Sequence, residues 1–139
     1  MKVMFLKAFV LGFFFILFLS ISPLKGQEAV DYEKILGKWD IEIDAEGEYY
    51  YLTLNLEKTN GELQGTISES SGFFMDVPLS EIEFDGTTLS FEFTAPTPPD
   101  GAERVLRAEF KVSDDMLEGT ITIDDLGMTL VATGKREVN

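Results

Sequence analysis

Three polar side chains, Tyr50, Glu69 and Arg104, fall on the same alternating parity as the apolar residues around them. In a β-rich chain that parity faces the interior, and an interior should be apolar unless a site requires otherwise. A guanidinium at Arg104 can hold a carboxylate or other anionic head through two parallel N–H donors, and the Tyr50 phenol can supply a further hydrogen bond. Leu52, Phe91, Phe93, Phe110 and Met128 share the parity and would line the apolar part of such a site. The competing reading is that Arg104 pairs with Glu69 or Glu48 at a rim, or that its strand starts after it. Phe84, Phe91, Phe93 and Phe110 would then simply fill the interior, as side chains do in small barrels.

Catalytic chemistry has little to work with. The chain contains no histidine and no cysteine, which removes Ser–His triads, thiol nucleophiles and the usual transition-metal ligands. Carboxylate pairs could still act as acid and base, but the strand acids lie mainly on the outward parity among Thr, Lys and other acids. The doublets Asp114–Asp115 and Asp124–Asp125 lack the alternating ligands and closing Glu of a calcium loop and read as solvated turns. The expectation is a protein without enzymatic activity, metal or cofactor.

The elements that must position these residues are strands. From Trp39 onward about 100 residues alternate apolar and polar with few breaks. That pattern specifies an all-β fold, a single antiparallel up-and-down barrel of about eight strands. The strands are expected around Trp39–Asp44, Glu48–Glu57, Leu63–Ile67, Phe73–Phe84, Leu89–Phe93, Ala102–Val112, Leu117–Ile123 and Met128–Arg136. The fourth shifts phase around Pro78, which predicts a bulge or an edge. Leu63-Gln64-Gly65-Thr66-Ile67 returns as Leu117-Glu118-Gly119-Thr120-Ile121, with a glycine letting each strand bend. A short helix over Glu28–Leu36, with Gly37 at its C-terminal cap, would plug one end of the barrel. The turns at Asn60–Gly61, Asp85–Gly86 and Ser113–Asp115 belong to that closed end. Ser70–Gly72 and the loop Ala95–Gly101, rich in proline, form the opposite end, where any mouth must be. On the outer parity, Tyr49 and Tyr51 form either an exposed cross-strand pair or an interface patch.

Gly37, Trp39 and Arg136 mark the two ends of the alternating region. The first and last strands of an up-and-down barrel are neighbours, so the indole and the guanidinium are expected to stack. On these residues the chain resembles the calycin group, the lipocalins, fatty-acid-binding proteins and avidins, and is most similar to small lipocalin-like domains of exported bacterial proteins. Gly-x-Trp on the first strand after a short helix, and an Arg near the end of the last, are the shared signature. The resemblance implies the barrel and leaves the ligand open, because those residues are structural. The first loop, Ala45–Gly47, is too brief for a lid, and the absence of histidine excludes haem held by an axial imidazole.

Residues 1–26 stand apart. Lys2 and Lys7 precede an apolar run from Ala8 to Ile21, and Ser22-Pro23-Leu24-Lys25-Gly26 ends it. This reads as a secretory signal peptide cleaved near Gly26–Gln27, leaving a lipocalin-like domain over 27–139 in the periplasm or outside the cell. Without cysteine there is neither a lipid-anchor thiol nor a disulfide. Cleavage removes three of the 11 basic residues and none of the 25 acids, for a formal charge of −17. Such a surface repels phosphate backbones and anionic headgroups, so nucleic acid and membrane insertion are not expected. The resulting expectation is an exported barrel that binds a small, mostly apolar or amphipathic ligand. The alternative is a packed barrel serving as a protein-interaction module, with the protein partner unknown.

Overall fold

The computed structural model describes residues 29–138, so the expected signal peptide lies outside the described residues. The alternating pattern forms nine antiparallel strands: β1 (Gly37–Ala45), β2 (Glu48–Thr59), β3 (Glu62–Glu69), β4 (Val77–Pro78), β5 (Ser80–Phe84), β6 (Thr88–Thr97), β7 (Ala102–Ser113), β8 (Met116–Ile123) and β9 (Met128–Arg136). Their order in the sheet is β4-β3-β2-β1-β9-β8-β7-β6-β5. β1 pairs with β9, so the sheet curls into an up-and-down barrel. Its two edges, β4 and β5, are consecutive in the chain with Leu79 alone between them, and the barrel is nearly closed there.

Two expectations are corrected. The fourth strand does not begin near Phe73; Phe73 and Phe74 lie in a loop, and the stretch divides into β4 and β5. Pro78 has no N–H to donate to a ladder, and Asp76 and Glu81 hold φ of 50° and 51°. Beyond Glu81, β5 resumes on β6 with a register shift between Ser80 and Glu83. The helix over Glu28–Leu36 reduces, within the described residues, to one 3₁₀ turn at Tyr32–Lys34, capped by Asp31 Oδ1 accepting from Glu33 N–H at 3.1 Å. Isolated short helices are marginal, and here tertiary donors take the carbonyls. Trp39 Nε1 donates to Ile35 O at 2.9 Å, while Arg136 Nη2 donates to Lys34 O at 2.6 Å and Nη1 to Leu36 O. Gly37 is therefore the first residue of β1 rather than a helix cap. Its φ is +112°, and a Cβ there would sit 3.3 Å from Arg136 Nη1.

The interior follows the parity of the sequence. Trp39, Leu54, Leu56, Ile67, Leu89, Phe110, Leu117 and Ile121 are fully buried, and Arg136 Cζ lies 4.3 Å from the centroid of the Trp39 ring. That stack adds about 0.5–2 kcal/mol. It closes the end that also carries the turn at Ser113–Asp115, since Asp115 Oδ1 accepts from Arg136 Nε at 3.0 Å. An aromatic column then fills the barrel lengthwise. Phe110 contacts Phe91 with centroids 6.2 Å apart, Phe91 contacts Phe93 at 6.2 Å, and Phe93 contacts Phe74 at 5.9 Å.

Candidate functional site

At the other end, beside Phe93 and Phe74, the interior opens. A cavity of about 90 Å³ lies under the loop joining β3 to β4 and the loop joining β6 to β7. Its floor is Phe93 with Leu106, Ile123 and Leu130; its walls are Ile43, Tyr50, Leu52 and Glu69. Ser71, Phe73 and Phe74 from one loop, and Pro96, Thr97 and Pro98 from the other strand end, make the rim. Strand geometry explains the gathering. Ile43 lies opposite Tyr50, Leu52 opposite Glu69, and Phe93 opposite Leu106, so successive inward positions converge on one level.

Glu69 is 7% exposed and organises the first rim loop. Its Oε2 accepts from Ser71 N–H at 2.9 Å, Ser71 Oγ at 2.6 Å and Phe73 N–H at 3.1 Å, while its own N–H donates to Phe74 O at 2.9 Å. Burial pushes the carboxyl pKa up. The hydrogen bonds from the Ser71 hydroxyl and from the Phe73 and Ser71 amides outweigh that and leave it below its usual value. The loop so fixed brings Phe74 onto Phe93. Beside it, Tyr50 Oη donates to Glu48 Oε2 at 3.2 Å. Burial, then that bond and the nearby carboxylates, push the Tyr50 phenol up.

Arg104 keeps its inward parity but is not among the residues that line the cavity. Its Nη1 and Nη2 donate to the two oxygens of Asp100 at 2.8 and 2.9 Å, and Nη1 also donates to the buried Thr97 Oγ1 at 2.7 Å. This pairing, with Ala102 N–H donating to Asp100 Oδ1 at 3.1 Å, holds the Asp100 carboxyl well below the usual range. Arg104 thus pins the proline-rich loop. The rim pairing weighed from the sequence occurs, with Asp100 rather than Glu69 or Glu48 as the partner. Asp100 sits in a turn, where parity gives no guide to its direction.

Of the other residues expected to form a site, Tyr50, Leu52, Glu69 and Phe93 line the cavity. Phe91 and Phe110 are packed deeper in the column, 1% and 0% exposed. Met128 is corrected: it is 38% exposed at the start of β9, because the 3₁₀ turn Asp124–Leu126 precedes it, and Leu130 is the first β9 residue to reach the interior. Leu106, Ile123 and Leu130 had the signal of inward parity. Phe73 and Phe74 had none, since they lie in a loop; Pro96 and Pro98 were expected in a mouth loop over Ala95–Gly101, but β6 runs on to Thr97 and Pro96 lies within it. Tyr49 and Tyr51 are each 51% exposed on the outer face. Among the described residues no group of three or more acids is close enough to hold a metal ion.

No protein-family model matches this sequence, and no curated protein matches it. A solved structure of a variant of the fluorescent protein UnaG is similar at 16% identity and a TM-score of 0.48, over 78% of this chain and 100% of that one. A likeness at that level carries no argument about what this chain binds. The up-and-down barrel rests on the strand order, the pairing of β1 with β9 and the stack of Arg136 on Trp39.

Proposed function

We propose that this protein is an exported, non-catalytic binding protein that takes a small, mostly apolar ligand at the mouth of its barrel. The observation that carries this reading is the apolar cavity beneath the Glu69-organised loop and the proline-rich loop. It lies at the end of the barrel where Phe93 and Phe74 terminate the aromatic column. Ordinary ligand pockets run to roughly 300–1,000 Å³, so about 90 Å³ suits a small ligand or one end of a larger one. Export is supported by the charge, apolar run and small-residue ending of residues 1–26. The absence of catalysis is supported by the lack of His and Cys and by the engagement of Glu69 in loop hydrogen bonds.

Native mass spectrometry of the protein produced with its own leader tests both parts. The expected result is a chain beginning near Gln27 that carries a bound species of a few hundred daltons or less. A ligand-free chain that also leaves an added panel of small apolar compounds unbound would overturn the binding role.

A second reading, a packed interaction module, is favoured by the exposed apolar side chains of Tyr49 and Tyr51 on β2 and Val131 on β9, on the outer face to either side of β1. Co-purification of a protein that is lost on changing Tyr49 and Tyr51 to Ser would favour that module over the ligand carrier.

A further inference from the structure

The cavity of about 90 Å³ is smaller than the roughly 150 Å³ void that admits a benzene ring. A larger ligand can enter only if part of its wall gives way. Ile43, Leu52, Phe93, Leu106 and Leu130 stand on β1, β2, β6, β7 and β9, each strand held between two neighbours. Pro96 and Thr97 lie within β6, and Arg104 ties Thr97 to Asp100 across the short loop that follows. The remaining wall is the stretch from Ser70 to Asp76 between β3 and β4, which supplies Ser71, Phe73 and Phe74.

That stretch is fastened to Glu69. The Glu69 N–H donates to Phe74 O at 2.9 Å, and the Glu69 carbonyl accepts from Gly72 N–H at 3.0 Å. Its carboxylate takes the Ser71 and Phe73 amides on Oε2 and the Ser71 hydroxyl on both oxygens, at 2.6 to 3.1 Å. Both oxygens are thus occupied by the loop, and the cavity wall is almost entirely apolar. Hydrogen bonds to an ionised acceptor are roughly twice as strong as neutral ones. The seat of Phe74 on Phe93 therefore depends on the charge of Glu69.

Resting on the reading of the mouth as a site for an apolar ligand, we infer that Glu69 sets the size of molecule it admits. The carboxylate latches the Ser70–Asp76 loop shut, and a molecule larger than the cavity binds only where the latch is undone. The affinity of such a ligand is reduced by the fraction of molecules whose loop is open. Loss of the Glu69 charge raises that fraction, because a protonated carboxyl or a carboxamide turns an accepting atom into a donor. The other charged groups at this end are Asp76 on the loop, Glu48 bonded to Tyr50 on β2, and Arg104 with Asp100 and Asp125. The cavity residues of β1, β8 and β9 (Ile43, Ile123, Leu130) are uncharged.

Two uncharged probes test this on the exported protein: xenon, small enough for the closed cavity, and N-phenyl-1-naphthylamine, whose rings exceed it. Xenon is followed through the NMR shifts of Phe74 and Phe93, the naphthylamine through its fluorescence. At pH 7 the naphthylamine should bind Glu69→Gln about tenfold or more tightly than the unaltered protein, and xenon, which needs no opening, should gain less. In the unaltered protein naphthylamine affinity should rise as acid titrates Glu69, and in Glu69→Gln it should stay level. The other acids are present in both proteins, so the difference between the two profiles reads Glu69 alone. A naphthylamine affinity that neither the variant nor acid raises, with xenon still bound, removes the latch and leaves the ligand site standing. If neither probe binds either protein at any pH, the ligand site itself falls. Where Glu69→Gln does not fold, Ser71→Ala, which takes the hydroxyl from both oxygens, replaces it beside the acid profile of the unaltered protein. A naphthylamine affinity moved by neither overturns the latch.

Discussion

Arg104 and Glu69 share the inward parity, yet each is held by its own loop. Arg104 ties Asp100 and Thr97 together, so Arg104→Ala should release the segment from Thr97 to Ala102. Exposed ion pairs contribute little to global stability. The expected result is a small loss in a denaturant melt, with faster amide exchange confined to residues 97–102. Unchanged exchange there would detach Arg104 from the loop.

Glu69 supplies the pH dependence. Its folded pKa lies below the ordinary 4.5, so the ionised form is preferred in the fold. Its contribution to stability is full above 4.5 and is lost as pH falls through the depressed value. Acidification should therefore shift the Ser71 and Phe73 amide resonances with a midpoint below 4.5. A midpoint above it would mean that burial outweighs the hydrogen bonds.

At the scale of elements, close approach between strands limits what the sequence can change. A Cβ at Gly119 would lie 1.8 Å from Glu109 O on the neighbouring strand. Gly119→Ala must push β7 and β8 apart, and overpacking of this kind costs about 3 kcal/mol. A melt within about 0.5 kcal/mol of the unaltered protein would show that the strands are free to separate. Trp39 is the complementary case, a large ring that closes the barrel end and donates to Ile35 O. Trp39→Ala should cost about 3–5 kcal/mol and free the 3₁₀ turn at Tyr32–Lys34. Retained stability in a denaturant melt would contradict the closure of the barrel at that end.

Across the whole molecule, 25 acids against few bases set a repulsive field that the compact state must bear. Added salt screens it over about 10 Å at 0.1 M, so the Tm of the 27–139 chain should rise between low salt and 0.2 M NaCl. A falling Tm would mean that ion pairs such as Arg107–Asp124 outweigh the repulsion.

The architecture was legible in the sequence because it depends on a local periodicity. Side chains alternate along any strand, so parity placed Trp39, Phe91, Phe93, Phe110 and Leu117 inside without knowledge of their neighbours. The pairing of Trp39 with Arg136 followed from topology alone, since the first and last strands of such a barrel must meet. Parity says which face a residue takes, but not how far along the barrel it sits or where a long side chain ends. Only the tertiary structure put Phe91 and Phe110 in the packed column and Met128 outside. It alone turned the Arg104 guanidinium toward Asp100, brought Phe73 and Phe74 over the mouth and set Glu69 among the donors of its own loop. Those outcomes depend on loop paths, which are set by hydrogen bonds between residues far from any repeating pattern.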